Sequence, residues 1–215
     1  MAALVLAVVV VGFGRTFFYA PFMALRPIRP YLYLHATVFS LWVLLFVLQV
    51  AFISMRRTDL HRRMGLVGAC IAALLVIVGT LTIIESVRHQ DLQAGSINLF
   101  GSGAQLLLFA ILVTAGLWHR HRPDVHKRLM LVGTLALAQA GLGRILQGMP
   151  PGLHMESLLN VAFMSAWVFH DLLTRRRPPL APLLGTIAML SIGPLGVRHV
   201  AHSPPWLAFT AWVQS

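Results

Sequence analysis

Ten histidines are spread through a chain of 215 residues that carries six acidic side chains and one cysteine. Two of them, His61 and His126, stand at matching places in a repeat. Asp59-Leu60-His61-Arg62-Arg63-Met64-Gly65-Leu66-Val67-Gly68 parallels Asp124-Val125-His126-Lys127-Arg128-Leu129-Met130-Leu131-Val132-Gly133 at an offset of 65 residues. Neutral imidazole is a good axial ligand for iron, so two imidazoles at one depth could hold a b-haem between them. Spacing alone leaves open whether the rings face each other. The plainer reading is anchoring: each aspartate caps a helix start, and the arginines meet anionic headgroups at about 1 kcal/mol each. His35, one turn inside an apolar run, and His170, which ends another beside Asp171, complete the candidate cofactor ligands. His170 and Asp171 are helix neighbours and do not face each other.

A second set of groups could bind an anion. Arg15, Arg144 and Arg198 interrupt apolar runs, Glu85 ends one, and His199 follows Arg198. Ionisable groups within a bilayer are costly and face a protein interior or a cavity. Arginine forks suit a carboxylate, a phosphate headgroup or a haem propionate. With His35, these residues are expected to form one pocket in the outer leaflet. The plainer alternative is that Arg15 and Arg198 snorkel to the interface while Arg144 bonds helix carbonyls.

Composition sets what must position them. Hydrophobic residues make up 58% of the chain and charged residues 11%, whereas a soluble domain carries roughly 25% charged residues. That leaves too few charges for a water-facing surface, and the chain reads as an all-α integral membrane protein. A span needs about 20 apolar residues. Seven are placed, over 3–23, 31–53, 64–84, 100–118, 128–148, 156–173 and 182–202. They form a single transmembrane domain over 1–215, and residues 203–215, with Trp206 and Trp212, suit an interfacial tail. No basic stretch precedes the first apolar run, so it reads as an uncleaved span.

The net charge of +11 would point to nucleic acid in a soluble protein. Here the cations lie in short loops, and the positive-inside rule is the better account. Arg56, Arg57, Arg62, Arg63, Arg120, Arg122, Lys127, Arg128, Arg175, Arg176 and Arg177 fall on one side, against Arg26, Arg29 and Arg88 on the other. The N-terminus is then cytoplasmic and the C-terminus periplasmic, in a bacterial inner membrane. The repeat makes spans two–three and four–five parallel copies of one helical hairpin. Together they are expected to pack as a central four-helix bundle. Gln49, Gln105, Gln139 and Asn160 read as interhelical hydrogen-bond formers, and Gly65, Gly68, Gly133, Gly141 and Gly143 as points of close helix approach.

Several functions fall away. A retinal protein needs a lysine inside a span, and Lys127, the one lysine, is at a span's edge. A carboxylate-driven pump needs a mid-membrane Asp or Glu. No phosphate-binding glycine loop, serine elbow or HExxH motif is present. Cys70 reads as a small buried hydrophobe, and metal ligation other than to haem iron is not expected.

Two segments carry a resemblance. One is Leu34-His35-Ala36 with Trp42, Gln49 and Leu60-His61-Arg62-Arg63-Met64-Gly65. The other is Pro123-Asp124-Val125-His126-Lys127-Arg128-Leu129-Met130, followed by Asp171. They resemble a bacterial family of multi-span membrane proteins of unknown function, a likeness that covers most of the chain and implies no activity. The histidine-bearing helices are also distantly similar to cytochrome b561-type and haem A synthase-type bundles, which hold b-haem between paired histidines. The present sequence departs from those in lacking their full set of mid-helix histidine pairs. Three readings follow. The first is b-haem binding and electron transfer, with quinone as the linked partner. The second is binding or transport of a lipid or small anion through the outer pocket. The third is an accessory subunit of a membrane complex.

Overall fold

The computed structural model describes residues 2–14, 17, 19, 29–146, 187, 196, 197 and 199–215. Every regular element among them is helical: α1 (Ala2–Phe13), α2 (Pro30–Ser54), α3 (Thr58–Val87), α4 (Leu92–Trp118), α5 (Pro123–Leu146) and α6 (Pro204–Gln214). The sixth expected span, most of the seventh, and with them Asn160, His170 and Arg198 lie outside the described residues, as do Arg15 and the end of the first span.

Three of these helices, α2, α3 and α4, are long and apolar enough to cross a membrane. At 1.5 Å per residue, the 25 residues of α2 reach about 38 Å, more than the roughly 30 Å of a hydrocarbon core. Less than a third of the most apolar stretch of each is buried. Their outward faces are leucine and isoleucine, with Leu66 73% and Leu107 61% exposed. In water such a surface would aggregate; in lipid it is solvated. These are the features of a membrane protein.

The connections are tight. Residues 55–57 join α2 to α3, 88–91 join α3 to α4, and 119–122 join α4 to α5. Arg56 takes a left-handed conformation, φ 59°, to reverse the chain in three residues. Helices α3 and α5 therefore begin earlier than hydropathy implies, at Thr58 and Pro123 rather than at residues 64 and 128. The basic segments that looked like loops are first turns. These two starts are themselves 65 residues apart, the offset of the sequence repeat. It follows that Asp59 and Asp124 are not N-caps, because each helix starts one residue before them. They sit in the first turn, at the positive end of the helix dipole. There Asp59 pairs with Arg57 (3.4 Å) and Asp124 with Lys127 (2.7 Å). Asp91, by contrast, does cap α4, accepting from the Ala94 N–H at 2.9 Å.

Packing runs α2 on α3, α3 on α4, and α4 on α5, with α1 lying against α5 and α2. All five helices share one core: Val5 and Val8 from α1, Trp42 and Val43 from α2, Leu75 from α3, Phe109 from α4, and Leu135 from α5. Trp42 meets Phe109 edge to face at 5.1 Å, an arrangement worth about 0.5–1.5 kcal/mol beyond burial. The expected close approaches divide. Gly141 touches α1 so closely that an added Cβ would lie 3.0 Å from the Val8 carbonyl oxygen. Gly68 and Gly133 also abut neighbouring side chains, but a Cβ on Gly65 would meet nothing within 4 Å, because that face points outward.

Lipid offers helices no hydrophobic drive to associate, so such contacts carry the association. Gly141→Ala should cost about 1–3 kcal/mol by pushing α1 off α5. Gly101→Ala, where an added Cβ meets nothing within 4 Å, should be neutral or gain up to about 1 kcal/mol from helix propensity. Denaturant titration in micelles measures both, and equal shifts would contradict the α1–α5 contact.

Candidate functional site: a paired-histidine end and an arginine end

The hairpins put the end of α2, the starts of α3 and α5, and the end of α4 at one end of the helix assembly. His61, in the first turn of α3, and His126, in the first turn of α5, meet there. Their ring centroids are 6.2 Å apart and their planes cross at 84°. The repeat-equivalent histidines thus come together between two helices that are not adjacent in sequence.

The His126 ring is fixed from behind. Its Nδ1–H donates to the main-chain carbonyl of Gly116, on the last turn of α4, at 2.8 Å. A carbonyl can only accept, so Nδ1 holds the proton, and Nε2 of the neutral ring keeps its lone pair. Gly116 is needed at that contact. A Cβ on it would come 3.0 Å from Met130 Sδ and 3.4 Å from Leu129 Cβ, both on α5. Gly116 escaped the reading of the sequence because nothing local marks it; only the register of α4 against α5 places it behind His126.

His61 is held differently. Its Nδ1 is buried and makes no hydrogen bond among the described residues. The nearby Gln49, on α2, has both amide atoms buried without a partner among the described residues, although its main-chain carbonyl interacts with the His61 ring. The sequence reading made Gln49 an interhelical hydrogen-bond former. Two others given that role, Gln105 and Gln139, do bond across α4 and α5, at 3.1 Å. Each unsatisfied buried polar atom costs about 1–3 kcal/mol. His61 Nδ1 and the Gln49 amide are therefore atoms that a water or ligand atom would stabilise.

At the opposite end, His35 stacks on Phe39, with centroids 6.3 Å apart and planes at 18°. With Phe13 and Phe17 they line a cavity of about 20 Å³, room for a single water. Phe13 contacts Phe39 at 5.8 Å, and the Arg144 guanidinium carbon lies 4.3 Å over the Phe13 ring. Arg144 also donates from Nη1 to the Ala140 carbonyl at 3.0 Å. So Arg144 and His35 come to one aromatic cluster, with Phe13 and Phe39 between them. Glu85 is turned to His89, 3.7 Å away, and His199 is exposed. His170, Arg15 and Arg198 lie outside the described residues.

No group of three or more His, Cys, Asp or Glu side chains is close enough to hold a metal ion among the described residues. What the paired-histidine end offers is two imidazoles and an amide. No family model matches the chain, and neither a curated protein nor a solved structure does.

A double-mutant cycle tests the histidine contact. His61→Ala, His126→Ala and the double variant should show a coupling energy of about 0.5–1.5 kcal/mol in micelle unfolding. Strict additivity would mean that the two rings do not meet.

Proposed function

We propose that this chain is a b-haem protein of a bacterial inner membrane, with His61 and His126 as the residues that would hold the haem. The observation that carries this reading is the approach of the repeat-equivalent histidines to 6.2 Å. A metal–imidazole bond is about 2 Å, so two rings on opposite sides of one ion have centroids on the order of 6 Å apart. The donor count also suits haem, whose porphyrin supplies four nitrogens and asks only two of the protein. Haem held there would supply one-electron chemistry, for which a quinone is the natural membrane-soluble partner class.

The chain's own residues prepare the site. The Gly116 carbonyl orients His126 and leaves Nε2 as the ligating atom, the outer-shell arrangement usual for metal-bound histidine. Gln49, whose main-chain carbonyl interacts with the His61 ring, carries a buried amide free to bond a polar group. The short turns hold the two rings at one depth. In this reading α2–α5 form the central four-helix bundle of a seven-span protein, flanked by α1, with the N-terminus cytoplasmic and the paired-histidine end on that side. The loop charges support the orientation.

A second reading has one observation in its favour. Arg144 places a cation over Phe13 near His35, and a lipid phosphate or small carboxylate would complement it. This site would act alongside haem or without it.

The optical spectrum of protein purified from haem-replete cells separates the readings. A Soret band is expected, with haem content falling at least about tenfold in His61→Ala and His126→Ala and unchanged in His35→Ala, since loss of an axial ligand removes an iron bond. A colourless protein that is correctly folded would overturn the haem assignment.

A further inference from the structure

Helix α6 has two unlike sides. One is docked on the α3–α4 hairpin, at the end away from the paired histidines. Gln214 donates from Nε2 to the carbonyls of Val87 and Gln90, both at 2.9 Å, and so ties α6 to the C-terminus of α3 and the turn that follows. Trp206 donates from Nε1 to the Ser96 carbonyl at 3.2 Å and meets Phe100 edge to face at 5.7 Å. Thr210 is fully buried, and Ser96 Oγ donates to the Ala201 carbonyl just ahead of the helix.

The other side is uncovered. Phe209 and Trp212, three residues apart, share a face. They stack at 5.8 Å with planes at 27°, and Trp212 is 71% exposed. The helix carries no charged residue. Arg88 stands beside it, donating from Nε to the Val213 carbonyl at 3.3 Å, with its guanidinium otherwise exposed. The level of this patch identifies what covers it. Helix α3, of membrane-crossing length, ends at Val87, and α4 starts at Leu92. The aromatic pair therefore sits where the hydrocarbon gives way to headgroups, the layer that tryptophan favours. An arginine at the same level matches a lipid phosphate.

We infer that α6 and Arg88 form a phospholipid-headgroup docking surface. Phe209 and Trp212 enter the carbonyl layer, Arg88 meets a phosphate, and the docked side of α6 fastens the α3–α4 hairpin to the membrane surface. This assignment holds whether or not the protein binds haem.

The test uses the full chain in phosphatidylcholine vesicles whose acyl chains carry bromine either near the carbonyls or near the chain ends. The difference in fluorescence between the wild type and Trp212→Phe isolates Trp212. Shallow bromines should quench it about twofold more than deep ones, as for a residue in the interfacial belt. No quenching by either lipid would mean that water or a protein partner covers the patch, and stronger quenching by deep bromines would place it in the hydrocarbon; both overturn the proposal. Adding phosphatidylglycerol should shift the Trp212 emission to shorter wavelength in the wild type but not in Arg88→Gln. An equal shift in both would remove Arg88 from the surface.

Discussion

A lipid interior offers no partner to a backbone N–H or C=O, so a chain that crosses it must satisfy those groups within each helix. The middle of a span then has little freedom, and positional information moves to its ends. In this protein three short turns carry it. Because 55–57, 88–91 and 119–122 are so brief, the starts of α3 and α5 are fixed against the ends of α2 and α4. One residue more or less in a turn would rotate the following helix by about 100° and carry His61 or His126 off the inner face. The left-handed Arg56 is the visible cost of that economy.

Once the ends are set, the two extremities of the assembly acquire different chemistry. At one, His61 Nδ1 and both amide atoms of Gln49 are buried with no hydrogen-bond partner among the described residues. At the other, the cation of Arg144 rests on an aromatic face and a helix carbonyl. Between them lies a hydrophobic core built on Trp42, Phe109 and Leu75. That core separates the paired histidines from the cluster of Arg144, Phe13, Phe39 and His35.

The helical, membrane-spanning character was legible from composition, because the scarcity of charge admits few other folds. So was the equivalence of His61 and His126, because the repeat aligns them. The helix starts were not. Hydropathy reads Arg62, Arg63, Lys127 and Arg128 as loop, while basic side chains can occupy a first turn and reach headgroups from there. Gln49 and Gly116 were opaque for another reason: their roles depend on which helix lies opposite, and that is fixed by packing at a distance in the chain. The exposure of Cys70, read from the sequence as buried, has the same origin.

The central claim is that the repeat brings residues 61 and 126 together at one end of the helix assembly. In a Cys70→Ser background, the pair His61→Cys and His126→Cys gives the most direct reading, treated in native membranes with a short bifunctional thiol reagent. The account predicts intramolecular cross-linking in the double variant and none in either single variant. Failure to cross-link, with each cysteine separately reactive towards a monofunctional reagent, would contradict it.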